Sequence, residues 1–304
     1  MNPLEESVTT GASARAESYG IPAEDTTDAV APPAPRAVAL GRALGLASWV
    51  LASLLAFGGL TGCATTPITG KRAFLPVPIS ADVQLGLEAL DQYVDQSKVV
   101  TRGTDAEMVQ RVMERLVVAA GVDGEPYEWS VRLIDEPETV NAFALPGGPM
   151  AVYTGILPVT QTEAGLAVVM GHELGHVLAR HGMQRVTRQQ GAAFMLSAFD
   201  LGQWGEAAGL AYQFAIELPF GRGDESESDH IGLILMARAG YDPREAPRFW
   251  ARMAELSGGQ QPPEWMSTHP SHETRQEDLN ALMDEALAAY QASGAGGTKQ
   301  FDGR

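Results

Sequence analysis

The chain predicts an α+β domain, mainly helical, with one small sheet. Three observations carry that expectation. The 19 residues Glu163 to His181, "EAGLAVVMGHELGHVLARH", contain no proline and read as one strong helix. Upstream, "YEWSVRLI" (127–134) alternates apolar and polar residues as a half-buried strand does, and "NAFALPGG" (141–148) and "MAVYTGIL" (150–157) read as two more strands around a Gly-Gly-Pro turn. Downstream, helical spacing dominates to about residue 292.

The elements follow in order. Ser80 or Asp82 can cap a first helix running to about Val94. A second, 105–120, places Met108, Val109, Val112, Met113, Leu116 and Val117 at helical spacing. The strands come next, then the strong helix. More helix is expected from about 184 to 217, unusually apolar, and its aliphatic run 191–218 reads as a buried helical hairpin. A helix from 224 to 239 and another starting near Pro243 follow. A loop, 258–270, separates these from a last helix ending near Ala292.

Five segments are expected along the chain. Residues 1–36, rich in Pro, Ala, Thr and acids, read as a disordered extension. Residues 37–62 read as a signal peptide or membrane segment. Ala43 to Leu60 carry no charge, and Leu60-Thr61-Gly62-Cys63 resembles a bacterial lipobox placed at the chain's single cysteine. The alternative is an uncleaved transmembrane anchor. Either way the remainder lies outside the cytoplasm, beside a membrane; the lipobox reading makes it a protein on the periplasmic side, lipid-anchored through Cys63. Residues 64–80 read as a tether, 81–292 as the domain and 293–304 as a flexible tail.

Charge excludes one class of partner. The net charge is −17; three basic and six acidic residues lie in the first 62, so the rest carries 18 basic against 32 acidic. Nucleic-acid binding needs basic patches, and none is visible. A single cysteine rules out an internal disulfide framework.

All six histidines lie in the second half, and two of them form His172-Glu173-Leu174-Gly175-His176. Residues i and i+4 share a helix face, so both imidazoles can reach one ion. Glu173 sits beside that ion and can take a proton from the attacking water. A catalytic zinc site needs a third protein ligand and an open position. A histidine six residues after His176 would serve, but that position is Gly182. The dense acidic stretch "DESESDH" (224–230) is the other source. Glu225 and Asp229 are four apart and share a face. Glu225 is therefore the ligand candidate and Asp229 the acid that orients a ligating histidine. Asp224 suits the helix N-terminus, and Glu227 is expected to face solvent. His181, five residues past His176, is rotated off the metal face and is expected to be structural or to back a ligand. His230 and His272 are expected to be solvated.

With these segments in view, the chain resembles the HtpX/BepA-type zinc metallopeptidases, HExxH gluzincins, and within them the periplasmic lipoprotein, LoiP-like branch. "PITGKRAF", "NAFALPGGPMAVYTGIL", "GHELGHVLARHG", "PFGRGDESESDHIGL" and "STHPSHETR" are similar to that family's segments, so the resemblance spans about residues 64–285. The departures are Ser228, where alanine is usual, and Gly221, where serine is common. No run of tetratricopeptide repeats follows.

The resemblance implies a gluzincin-like protease fold, one Zn2+ per chain, and the same ligand, Glu225. It implies that Asn141, Ala142, Phe143 and Ala144 form an edge strand to which an extended substrate adds by backbone hydrogen bonds. It brings His269 near the metal, either filling the open position in a resting state or stabilising the oxyanion, and gives Arg275 the role of positioning that loop. The expected function is a zinc metalloendopeptidase in quality control of envelope or outer-membrane proteins. Its partners would be unfolded or misassembled envelope proteins, with a membrane engaged through the N-terminal anchor. The alternative is a membrane-tethered, zinc-dependent chaperone or scaffold with little proteolysis.

Overall fold

The computed structural model describes residues 63–94, 97–201, 209, 213, 219–258, 263–270 and 274–294. The expectations for 1–36, 37–62, His272 and most of the tail lie outside these residues, as does most of the second arm of the apolar hairpin.

The described residues begin with a short hairpin, β1 (Cys63–Thr65) against β2 (Arg72–Phe74), antiparallel with Ala64 opposite Ala73. The expected tether is thus ordered in part. Helix α1 (Ile79–Val94), edge strand β3 (Val99–Val100) and helix α2 (Thr104–Ala120) follow. Asp82 does not cap α1; it is buried in an ion pair described below. The apolar face of α2 is the one its spacing gives, with Val109, Val112, Met113 and Leu116 buried.

Strands β4 (Ser130–Ile134), β5 (Ala142–Ala144) and β6 (Pro149–Tyr153) complete a four-stranded sheet of order β3-β4-β6-β5. β4 and β6 run parallel, with Val131 opposite Met150, and β5 lies antiparallel to β6, with Ala142 opposite Val152. All three are shorter than their apolar stretches. The "TGIL" end of the third stretch turns over Thr154–Ile156 and becomes the one-turn helix α3 (Leu157–Thr160). β6 is buried throughout because both its faces are covered. Met150 and Val152 face one core with Val131, Leu133 and the helix residues Val112 and Leu116. Ala151 and Tyr153 face a second core with Phe143, Leu145 and Leu85. The period of two divides the sheet's side chains between two helical layers.

Helix α4 (Glu163–Leu178) carries the HExxH residues. Thr162 caps it, its hydroxyl accepting from Gly165 N at 3.0 Å. Every residue from Gly165 to Leu178 is buried. A helix apolar on all sides belongs in a core. The chain leaves α4 at Arg180, which takes a left-handed conformation (φ 56°). Its guanidinium grips Asp82 through Nε–Oδ2 at 2.7 Å and Nη2–Oδ1 at 2.6 Å and donates to Val77 O. That pair fastens the start of α1 to the end of α4.

The expected helix from 184 starts earlier and breaks at Gly191 (φ 85°), giving α5 (His181–Gln190) and α6 (Ala192–Leu201); α6 is not the buried arm expected, since Leu196 and Phe199 are exposed and only Met195 and Ala198 of its described side chains are buried. Helix α7 (Arg222–Arg238) holds the acidic stretch and is buried on nearly every side. Helix α8 (Glu245–Ser257) follows. The expected loop contains the short helix α9 (Glu264–Thr268). The last helix divides at Leu282 into α10 (Arg275–Ala281) and α11 (Met283–Ala292).

α4 and α7 cross at unusually close range, and small residues permit it. A Cβ on Gly175 would stand 2.8 Å from Ser228 O, and one on Gly232 would stand 2.7 Å from Gly171 C and His172 N. This seam of Gly171, Gly175, Ser228 and Gly232 brings the histidines of one helix against the acids of the other. It also gives a reason for a small residue at Ser228.

Candidate active site

The two helices and the α9 turn converge four donors. His172 Nε2 lies 3.0 Å from His176 Nε2 and 3.2 Å from His269 Nδ1. The carboxylate of Glu225 lies 3.5 Å from His172 Nε2, 3.3 Å from His176 Nε2 and 3.1 Å from His269 Nδ1. All four residues are buried, and their donor atoms lie within 4.8 Å of one another.

This cluster fits a metal on two physical grounds. Four donors bonded at about 2.1 Å to a tetrahedral ion lie about 3.4 Å apart, close to the separations found. The charge also calls for a cation. Glu173, Glu225 and Asp229 are all buried around the histidines, and among the described residues Arg275 is the fixed cation that touches two of them. Buried charges require compensation.

Around this cluster the carboxylates and imidazoles shift one another. Burial alone would lower the basicity of His172, but Glu225 and Asp229 outweigh it and raise its pKa to about 9. Burial dominates at His176 and holds it well below the ordinary value. Burial pushes Glu225 and Asp229 up, yet both stay below the usual carboxylate range. His269 and His172 outweigh burial at Glu225, and Arg275 and His172 at Asp229. A divalent cation would supply the positive charge that a proton on His172 otherwise provides.

The expected residues are placed as follows. Asp229 Oδ1 lies 2.9 Å from His172 Nδ1, so it orients that ring. Arg275 is buried and bridges the two acids, with Nη1 3.1 Å from Glu225 Oε2 and Nη2 2.7 Å from Asp229 Oδ1; its guanidinium stacks 3.3 Å above the Trp250 ring. Glu173 stands beside the cluster. Its carboxylate accepts from Trp265 Nε1 at 3.0 Å and from the backbone amide of Ala144 at 3.1 Å. Ala144 closes β5, an edge of the sheet. Ala142 and Phe143 are buried in β5, and Asn141 precedes it, with Nδ2 3.3 Å from Glu264. Val140 O accepts from Trp265 N at 3.1 Å, so α9 covers one end of this edge. His269 Nε2 lies 3.3 Å from Glu173 Oε1, so that ring links Glu173 to the other three donors.

Two expectations need correction. Glu227 does not face solvent: it is 5% exposed and receives Thr66, Thr69, Lys71 and His181. Helix α7 has no wet face there, because the turn between β1 and β2 lies over it. His230 is partly buried rather than solvated, with Nε2 3.2 Å from Glu285. His181 is where expected, off the cluster and behind His176, with Nδ1 atoms 3.0 Å apart.

Sequence reasoning missed three aromatic residues here. Phe220 lies against His176 with ring centres 3.9 Å apart and takes Arg185 on its other surroundings at 3.6 Å. Trp265 and Trp250 stack at 5.0 Å beside His172. The sequence signal available was position: Phe220 directly precedes the acidic helix, and Trp265 precedes His269 by one helical turn.

An HExxH helix crossed by a second helix that delivers a glutamate and an aspartate four residues apart defines a metallopeptidase architecture. The profile of Peptidase family M48 matches residues 104–283, and the chain belongs to that family of metal-dependent peptidases. It is 32% identical over 255 residues to the mitochondrial metalloendopeptidase OMA1 of Schizosaccharomyces pombe, covering 81% of this chain and 74% of that protein. It is 38% identical over 176 residues to the mitochondrial metalloendopeptidase OMA1 of Arabidopsis thaliana, covering 57% of this chain and 36% of that one. The beta-barrel assembly-enhancing protease of Yersinia pestis is 26% identical over 252 residues, 75% of this chain and 51% of that one. The chain thus spans about a third to three quarters of the length of these relatives.

Proposed function

We propose that the chain is a zinc metalloendopeptidase of the LoiP-like lipoprotein branch that cleaves unfolded or misassembled envelope proteins. His172, His176 and Glu225 would hold the ion, with His269 as a fourth donor in the resting state. Zinc there would polarise the scissile carbonyl and acidify the attacking water. Glu173 takes the proton from the water and returns it to the leaving amine. Asp229 orients His172, and Arg275 holds both α7 acids in place.

The observation that carries this reading is the contact between the Glu173 carboxylate and the Ala144 amide at 3.1 Å. The contact sets the Glu173 carboxylate beside β5, an edge strand of the sheet. A substrate added there as an extended strand would lie with its backbone beside both base and cluster. Recognition through backbone groups tolerates many sequences, which suits unfolded clients. The resemblance to a protease named for β-barrel assembly supports an envelope task. The lipobox-like sequence at Cys63 supports lipid anchoring on the periplasmic side. Among the described residues no helix is long and apolar enough to cross a membrane.

The test is Glu173→Gln with casein as an unfolded substrate. Removing the base should lower cleavage about 100- to 10,000-fold while bound zinc is retained. Unchanged casein cleavage would sink the proposal.

A further inference from the structure

Glu227 is satisfied by four donors from two distant parts of the chain. Its Oε1 lies 2.7 Å from both the Thr66 and the Thr69 hydroxyl. Its Oε2 accepts from Lys71 Nζ at 2.8 Å and faces His181 Nε2 at 3.1 Å. Two hydroxyls, an ammonium and an imidazole nitrogen thus converge on the two oxygens of this buried side chain, the surroundings of a carboxylate acceptor.

Hydrogen positions follow from the partners. A carboxylate only accepts, so His181 Nε2 carries the hydrogen, and in the neutral ring Nδ1 is then bare. Two groups face that lone pair: His176 Nδ1 at 3.0 Å and the Ser228 hydroxyl at 3.2 Å. If His176 Nδ1 donates, its Nε2 is left bare, and Nε2 is the atom that faces His172 and Glu225. The two imidazoles of the HExxH motif are thus backed by carboxylates in different ways. Asp229 backs His172 directly at 2.9 Å. Glu227 backs His176 through an intervening imidazole.

We infer that Glu227 and His181 are positioning residues that together fix the tautomer and ring orientation of His176, and that the hairpin following Cys63 clamps the acid end of this relay. The segment 66–71 is a part of the site's support as well as a lead-in to the domain. The threonines and the lysine each meet Glu227 from one turn of chain, Thr66 to Lys71, whose shape is fixed by the Thr66 N to Lys71 O hydrogen bond at 2.8 Å. A displacement of that turn would leave a buried carboxylate with fewer donors and a relay with a loose end. This rests on His176 being a metal ligand.

The test uses the full chain and cobalt(II), whose visible spectrum reports the geometry of its ligands. Cobalt affinity is read by competition with a chelator, alongside the spectrum and the circular dichroism of each variant. Glu227→Gln and His181→Phe should each weaken cobalt binding about 10- to 100-fold and shift the spectrum, the range found when partners behind ligating histidines are removed. Combined, they should weaken it no further than the worse single variant, because they act as one unit. Thr66→Val with Thr69→Val, which leaves α4, α5 and α7 untouched, should weaken binding severalfold in the same sense; it decides the matter if the Glu227 variant does not fold. Affinities within twofold of the parent and an unshifted spectrum overturn the relay, as do additive losses in the combined variant. A parent that binds no cobalt overturns the metal site itself, a result distinct from a parent that binds and variants that bind equally well.

Discussion

Gly232→Ala tests the close crossing of α4 and α7. The new Cβ would lie 2.7 Å from Gly171 C and His172 N, whereas ordinary contact begins at 3.4 Å. Both neighbours are backbone atoms of α4, so no side chain can swing aside. The helices must part by about 0.7 Å, or α7 must rotate. Overpacking of this kind costs about 1–3 kcal/mol. For a domain of this size each kcal/mol moves the unfolding midpoint by about 2–4 °C, so the metal-free protein should unfold about 2–12 °C lower. The same parting carries Glu225 and Asp229 away from His172 and His176. Metal sites tolerate about 0.2 Å in ligand distance, so zinc affinity should fall as well, by about tenfold or more. Differential scanning calorimetry and chelator competition measure the two effects. Gly223→Ala is the control, since nothing lies within 4 Å of its added Cβ and the site is helical. It should be neutral or stabilise by about 0.5–1 kcal/mol. If Gly232→Ala unfolds at the parental temperature and binds zinc equally well, close approach of α4 and α7 does not build the site.

Arg275→Met leaves Glu225 and Asp229 buried without their shared guanidinium and should destabilise the metal-free protein by about 3–5 kcal/mol in thermal unfolding; Arg275→Lys should rescue it poorly, because one ammonium cannot reproduce the fork that spans both acids. Arg180→Ala strands buried Asp82 and should cost a similar amount by the same measurement, without changing the ligand spectrum of bound cobalt. His269→Ala removes one of four donors and should speed chelator removal of zinc about tenfold, followed by a colorimetric zinc dye.

Much of this was legible because the candidate site residues are spaced by helix geometry alone. His172, Glu173 and His176 fall within five residues of one helix, so their arrangement is local and the sequence displays it. Glu225 and Asp229 follow the same rule on a second helix, and the structure brings both to the histidines. The strands were legible in order but not in length, since pairing over three to five residues depends on the neighbouring strand. β3 consists of two β-branched residues, Val99 and Val100, too few to show a period of two. The breaks at Gly191 and Leu282 differ in the same way. Gly191 takes φ 85°, a conformation glycine adopts readily. At Leu282 nothing in the residue itself marks the division.

Glu227 was misjudged for a reason that reaches beyond one residue. Assigning one helix face to the metal and the opposite face to water presumes that the opposite face is wet. In α7 the residues from Asp224 to Ala237 are buried almost without interruption, polar and apolar alike. A helix enclosed on nearly every side has to satisfy its buried acids with protein donors, so each buried acid on it implies a partner elsewhere in the chain. For Glu225 and Asp229 those partners are histidines and Arg275. For Glu227 they are His181 and a turn 156 to 161 positions away in sequence. That turn carries two threonines and a lysine within six residues, "TPITGK", and its polar side chains were the signal. Glu227 therefore ties α7 to the turn between β1 and β2, and a site that looks self-contained in α4 and α7 also leans on Thr66, Thr69 and Lys71.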